Sequence, residues 1–343
     1  METSLLSVSI EVLPGDGKEW LASLEPENLL YQPFLYLEGN LGVPQKALYQ
    51  AYMVAVHTFS PAQMRKAIFA SDQEATAHML SATAIILLAN PAHASSLNAR
   101  KKAIAAGLLT PKEDLNYLAL LIGGIKDAAK QDILWHHRRW VLQHLYGISG
   151  TVITPELAPW DGQGMVTLDA PRYIWQQELG LTSRACELYP RNYHAWTHRS
   201  LCCAAYRHAC PQTSNKTTDI MSFLDDELRF VKTWIEQHIS DFSAAHHLLR
   251  VLRLADEMDG AVINHHSRTH EAIEHVLILL REYPEHESLW MYLRGLGTGR
   301  KEAPTSFMTE YLPAKNSSDT LVQVYAARSV SYTHLTLPTN REV

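Results

Sequence analysis

Tyr189-Pro190-Arg191-Asn192-Tyr193-His194-Ala195-Trp196-Thr197-His198-Arg199 is the stretch from which the rest of the chain can be read. Pro190 ends the helix before it, because proline lacks the N–H that helical continuation needs. Asn192 is suited to cap a new helix by accepting from the N–H groups of its first turn. Trp196 and Arg199 stand three apart, so they share a helix face. The pattern recurs upstream in Lys130-Gln131-Asp132-Ile133-Leu134-Trp135-His136-His137-Arg138-Arg139-Trp140. It recurs downstream in Tyr283-Pro284-Glu285-His286-Glu287-Ser288-Leu289-Trp290-Met291-Tyr292-Leu293-Arg294. Weaker copies place Leu97 (with Arg100 three later) and Ala245 at the tryptophan position. The key residues Leu97, Trp135, Trp196, Ala245 and Trp290 are spaced by 38, 61, 49 and 45. The outlier contains a Gly- and Pro-rich insertion over 147–171, and subtracting it brings that interval close to the others. A period of this length implies a repeat architecture.

Between the repeats the apolar residues follow helical spacing. Leu115, Leu118, Ile122 and Ile125 form one stripe, with Pro111 at a first helical position. Trp175, Leu179, Thr182 and Cys186 form another, and Leu224, Leu228, Val231 and Ile235 a third. Helices are expected over Pro44–Phe59, Asp72–Leu88, Pro111–Lys126, Tyr173–Leu188, Asp219–Ile239 and Thr269–Leu280, with a final helical pair within Lys301–Ala327. No strand pattern is evident. The expected fold class is all-α, an α-α superhelix (solenoid) of repeated helical hairpins. Residues 1–42 read as a poorly structured lead-in, 43–328 as the helical-repeat domain and 329–343 as a disordered or non-native tail. The last stretch, Ser331 to Val343, resembles a translated sequencing adaptor and shares no period with the rest.

The 343 residues carry a net charge of −6. No basic block is present, which argues against nucleic acid as partner. The most apolar stretches, Ala82–Ala89 and Leu115–Ile125, are far shorter than the ~20 residues that span a bilayer. Residues 1–15 lack the charged and apolar regions of a secretory signal, and Cys186, Cys202, Cys203 and Cys210 form no C-x-x-C pair. A cytoplasmic setting with free, buried thiols is expected. The histidine pairs His136-His137, His246-His247 and His265-His266 point about 100° apart on a helix, so they do not converge on a metal as i, i+4 ligands do.

The motifs Asn192-Tyr193-His194-Ala195-Trp196-x-His198-Arg199 and Trp135-His136-His137-Arg138-Arg139, with the Trp290 copy, resemble the repeats of protein prenyltransferase alpha subunits. The likeness runs from about Asn90 to Arg294. Ser240-Asp241-Phe242-Ser243 and the long insertion resemble the repeat-containing branch of that family. The resemblance implies an alpha-type subunit that is inactive alone and scaffolds a catalytic beta subunit, together transferring an isoprenoid, geranylgeranyl before farnesyl, to a protein cysteine. It implies no cofactor in this chain and a zinc ion in the partner beta subunit. The Rab geranylgeranyltransferase beta type is the first candidate partner. It also implies that Lys130, Tyr193 and His194 face the isoprenoid diphosphate, where cations and hydrogen-bond donors stabilise the leaving group. All three lie at or just before the first turn of a repeat helix, where free N–H groups and the helix dipole favour an anion. Each also has a plain structural alternative: Lys130 as a solvated helix-end lysine, Tyr193 as packing between hairpins, His194 as a residue of the capping turn. The second repeat departs from the farnesyltransferase pattern at Gln131-Asp132, and the first and fourth lack tryptophan. The competing functional class is a non-enzymatic helical-repeat interaction scaffold.

Overall fold

The computed structural model describes residues 9–22, 31–147, 168–209, 214–258 and 265–297. The chain divides into two compact units, Met1–Ala209 and Cys210–Val343. The sequence suggests one helical domain over 43–328.

The first unit begins with β1 (Ile10–Leu13), α1 (Lys18–Ala22), β2 (Leu35–Leu37) and β3 (Asn40–Pro44). These strands form a small sheet in the order β1-β3-β2. β1 runs parallel to β3, and β2 pairs with β3 antiparallel. The expectation of a loose lead-in without strands is corrected here for the described residues. The hairpin turns on Glu38 and Gly39, both at positive φ (50° and 82°). That is the two-residue geometry whose twist matches paired strands. Glu-Gly is a weaker signal for it than Asn-Gly, and strands of three to five residues offer little alternation to detect. The sheet is anchored on the helices at Gly124, where an added Cβ would come within 3.1 Å of Ile10 Cγ1.

The helices of this unit are α2 (Gln45–Thr58), α3 (Pro61–Phe69), α4 (Gln73–Ala89), α5 (Ala94–Ala105), α6 (Pro111–Gly124), α7 (Lys126–Ala129), α8 (Asp132–Tyr146), α9 (Arg172–Leu188) and α10 (Tyr193–Ala209). Helix α3, absent from the sequence expectation, is short; it starts on a Ser60 cap with Pro61 at its first position. Its Met64 and Ala67 enter a cluster with Met79, Leu80, Ile86 and Ala103. The hairpins pair α4 with α5, α6 with α8 and α9 with α10, and successive hairpins stack through α6 on α9 and α5 on α8. The second unit has α11 (Ser214–Gln237), α12 (Phe242–Met258), α13 (His265–Glu282) and α14 (Glu287–Gly297). There α11 pairs with α12, α13 pairs with α14, and α12 stacks on α14. The all-α class and the repeated hairpins stand as expected.

The repeat register is uniform. Leu97, Trp135, Trp196, Ala245 and Trp290 each occupy the fourth position of their helix, and all five are buried. Each repeat helix therefore drops its key side chain into the core one turn after it begins. The Trp135 and Trp290 indoles each donate to the carbonyl six residues earlier, Ala129 at 2.9 Å and Pro284 at 2.7 Å. A buried indole thus satisfies its own N–H by closing the turn that precedes its helix. Insertion 147–171 lies outside the described residues except at its ends, where Gly147 and Leu168 form an isolated bridge. The expected helices within 301–327 and the tail 329–343 lie outside the described residues. No described helix is long and apolar enough to cross a membrane.

Candidate functional site at the repeat turns

The turn between α7 and α8 and the turn between α9 and α10 meet at one backbone atom. The Ala129 carbonyl accepts from Trp135 Nε1 and also from Asn192 Nδ2, at 2.7 Å. Asn192 Oδ1 meanwhile accepts from Ala195 N–H at 3.1 Å, so this one side chain caps α10 and ties the third repeat to the second. Asn192 is 2% exposed, which makes both bonds costly to lose. Arg191 beside it has φ 59°, the left-handed conformation that lets the chain reverse between α9 and α10.

Lys130 follows Ala129, and Tyr193 follows Asn192, so this tie carries the two predicted site residues on neighbouring turns. Lys130 Nζ lies 2.7 Å from Asp127 Oδ1 and 5.6 Å from the centroid of the Tyr189 ring. Its pKa is raised, chiefly by the hydrogen bond with Asp127 and then by that carboxylate's charge. The ammonium is therefore held in its charged form. Tyr193 is 59% exposed and stands edge-on to the His194 ring, with centroids 5.6 Å apart. His194 is half-buried, and its pKa is lowered by that burial, with Asp132 opposing and Arg139 reinforcing the shift. It is neutral at pH 7 and can offer one N–H. Among the described residues no hydrogen bond or ion pair joins Lys130 to Tyr193 or His194. Helix α8 receives no side-chain cap from Gln131; the Leu134 N–H donates to the Gln131 carbonyl at 3.2 Å, and no side chain caps the N–H groups of Asp132 and Ile133 before it. The chemistry available at these turns is that of one ammonium, one phenol, one neutral imidazole and an uncapped helix end.

Behind the turns lies a feature that the motifs alone did not disclose. Arg100 Nε and His137 Nε2 both bind the buried Asp114 carboxylate, at 2.6 and 2.7 Å. One repeat later Arg138 grips Glu178 with Nε at 2.7 Å and Nη2 at 2.5 Å, while His198 Nε2 binds the same carboxylate at 2.9 Å. The rule is the same in both. A carboxylate on the first helix of a hairpin takes an arginine from the preceding repeat and a histidine from its own second helix. Burial would raise the carboxyl pKa of Glu178, but the Arg138 charge and the bonds from His198 and Arg138 hold it down to about 2. Asp114 is likewise held below its ordinary value by His137 and Arg100 despite burial. Burial lowers His137 and His198 against the pull of their carboxylates. Their Nδ1 atoms are buried without a partner, as suits neutral rings that donate through Nε2 alone. In the second unit His247 Nε2 binds Glu227 at 2.7 Å. Arg199 spans three acceptors on α9: the Leu179 carbonyl at 2.6 Å, Thr182 Oγ1 at 2.9 Å and Ser183 Oγ at 2.8 Å.

The W-x-H-R residues are thus fasteners between hairpins. The sequence signal for the acidic partners is faint: Glu178 sits three residues after Trp175, on the apolar face, and Asp114 directly precedes Leu115 on another. The adjacent histidines divide as the helical spacing requires. His137 turns inward to Asp114, while His136 is half-buried. The side chains of His265 and His266 lie outside the described residues.

Residues 175–206, covering α9 and most of α10, match the protein prenyltransferase alpha subunit repeat. The chain is 29% identical over 255 residues to the protein prenyltransferase alpha subunit repeat-containing protein 1 of Danio rerio, covering 65% of this chain and 54% of that protein. It is 28% identical to the Homo sapiens protein of the same name, covering 63% of this chain and 58% of the relative. It is also 24% identical to the geranylgeranyl transferase type-2 subunit alpha of Saccharomyces cerevisiae, over 63% of this chain and 57% of that subunit. The chain spans a little over half the length of these relatives. With hairpins fastened through W-x-H-R helices, this chain carries a protein prenyltransferase alpha subunit repeat over residues 175–206 and is similar along its helical repeats to the proteins named for that repeat.

Proposed function

We propose that this chain serves as the alpha-type subunit of a protein prenyltransferase, scaffolding a beta subunit that holds the catalytic zinc and most of the isoprenoid site. The observation that carries the proposal is the Ala129–Asn192 tie, which places Lys130 and the Tyr193-His194 pair on adjoining turns beside an uncapped helix end. The likeness to a geranylgeranyl transferase alpha subunit supports the same reading and favours geranylgeranyl over farnesyl. As the bond to the isoprenoid breaks, charge builds on the diphosphate. A charged lysine and the Tyr193 and His194 donors are suited to stabilise it. The acceptor would be a protein cysteine, and the setting the cytoplasm.

A beta subunit of the Rab geranylgeranyltransferase type, co-expressed with this chain, is the first combination to assay. In an active complex, Lys130→Ala with Tyr193→Phe is expected to lower turnover by about a hundredfold, since one such donor contributes about 2.7–4 kcal/mol. Binding of the partner should persist. Failure to form a complex with any prenyltransferase beta subunit would overturn the proposal.

One observation favours the alternative, a non-enzymatic interaction scaffold. Lys130 is already paired with Asp127. In that case the double variant would bind its partner normally, and no complex would transfer an isoprenoid.

A further inference from the structure

The exposed apolar side chains of the first unit gather near its N-terminal end. Tyr49, Val54 and Phe69 are 63%, 67% and 94% exposed, and Met53 and Val56 are exposed as well. A helix face this apolar is ordinarily buried, and the outer face of a terminal repeat is ordinarily polar. Helices α2 and α3 follow one another without a loop: Phe59 is the C-cap of the first and Ser60 the N-cap of the second. Both pack on α4. Ala55 and Phe59 join Met64 and Ala67 of α3 in one core cluster, so the opposite sides of both helices face away from the same core.

Helical spacing of about 100° per residue sorts what those outward sides carry. On α2, Lys46 and His57 stand opposite the buried Leu48 and Ala55, with Met53 and Tyr49 to one side and Gln50 and Val54 to the other. On α3, Phe69 projects between Arg65 and Lys66, opposite Met64 and Ala67. The charge has one sign. Residues 39–71 contain no Asp or Glu, although 36 of the chain's 343 residues are acidic and its net charge is −6. Asp16, the acid on which Lys46 acts, is paired with Lys18 at 3.4 Å. Asp72, just past α3, caps α4 by accepting from the Ala75 N–H at 3.0 Å.

These charges decide what suits the surface. A second copy would bring Lys46, Arg65 and Lys66 against their own kind. The core of a protein interface is depleted of lysine, whereas Lys46 stands in the middle of the α2 face. A bilayer with anionic headgroups suits both components. Cationic heads remain among the headgroups while their stems, with the aromatic and aliphatic side chains, enter the acyl boundary.

We propose that the outward faces of α2 and α3 form a docking surface for an anionic lipid bilayer, on which they lie without crossing it. The surface uses neither Lys130 nor Tyr193, so it stands or falls apart from the prenyltransferase reading.

The test is flotation of the full chain with vesicles at low salt. One set is phosphatidylcholine alone, and the other contains about one-third phosphatidylserine. The chain should float with the anionic vesicles, stay behind with the neutral ones, and be released as salt rises. Arg65→Gln combined with Lys66→Gln should weaken binding about 25-fold, from about fivefold per cation. Phe69→Ser should weaken it about tenfold. These positions are exposed, and thermal melts check that the variants remain folded. Equal flotation with both vesicle sets, or none with either, would overturn the proposal, as would wild-type binding in both variants. Polyglutamate that displaces the chain from vesicles, and binds Phe69→Ser as well as wild type, would assign the cations to an acidic protein and overturn it. A dimer in sedimentation that Phe69→Ser dissociates would assign the face to a second copy and overturn it as well.

Discussion

Glu178→Gln is the most informative single substitution. The variant keeps the side-chain shape but removes the charge that two repeats share. In the native chain Arg138 binds Glu178 through two nitrogens, and His198 adds a third bond, all buried. Removing one partner of a buried ion pair costs about 3–5 kcal/mol, because the other charge is left uncompensated. Linkage gives a similar size. The Glu178 pKa falls from 4.5 to about 2 on folding, and at 1.36 kcal/mol per pKa unit that corresponds to about 3 kcal/mol at neutral pH. The sign follows from the direction. A depressed carboxyl pKa stabilises fully above pH 4.5, and the contribution is lost as pH falls from there towards 2. Guanidinium unfolding followed by tryptophan fluorescence measures the loss at pH 7. Arg138→Met combined with Glu178→Leu separates the causes: with no buried charge remaining, the double variant should be more stable than Glu178→Gln alone. A loss under about 1 kcal/mol for Glu178→Gln, or a double variant less stable than the single one, would refute the argument.

Other outcomes follow from the same geometry. Asn192→Ala removes both the α10 cap and the bond to the Ala129 carbonyl, and should cost about 2 kcal/mol in chemical denaturation. Arg191→Gly relieves a left-handed residue at φ 59° and should raise stability by about 0.5–1 kcal/mol, seen as a higher melting temperature. His137 and His198 have pKa values lowered by burial. The unfolded chain therefore binds more protons below the ordinary histidine range, and stability should begin to fall as pH drops below about 6.5. His198→Phe should flatten that first part of the pH profile, which a melting series from pH 7 to pH 5 would show.

The arrangement has a consequence for how the repeats tolerate change. The fourth position accepts Leu97 or Ala245 in place of tryptophan, because it needs only apolar volume at a given register. The charged fasteners are less forgiving. Each carboxylate answers residues on two other helices, so a change at one end leaves a buried charge at the other. The turn residues follow a third rule. Lys130 and Tyr193 are exposed enough to vary without disturbing the core, and a functional demand on them would have to come from a bound partner.

Most of the helices, the repeated hairpins and the register of the repeat helices were legible in the chain itself, though α3 was not. Trp196, Asn192 and Pro190 mark where a helix ends, where the next is capped and which face turns inward, and these are local properties set by backbone chemistry and helical spacing. The likeness to the prenyltransferase alpha-subunit repeat was legible for the same reason, since W-x-H-R is a local pattern. What needed the tertiary structure is every interaction that crosses helices. Asp114 and Glu178 read as ordinary acids until Arg100 and Arg138 are brought to them from the preceding repeat. The bond from Asn192 to Ala129 spans 63 residues. The hairpin at Glu38-Gly39 and the parallel pairing of β1 with β3 likewise depend on contacts too short or too distant to leave a periodic trace. Periodicity along one helix determines which face is buried; only packing decides which charge on the next helix that face will meet.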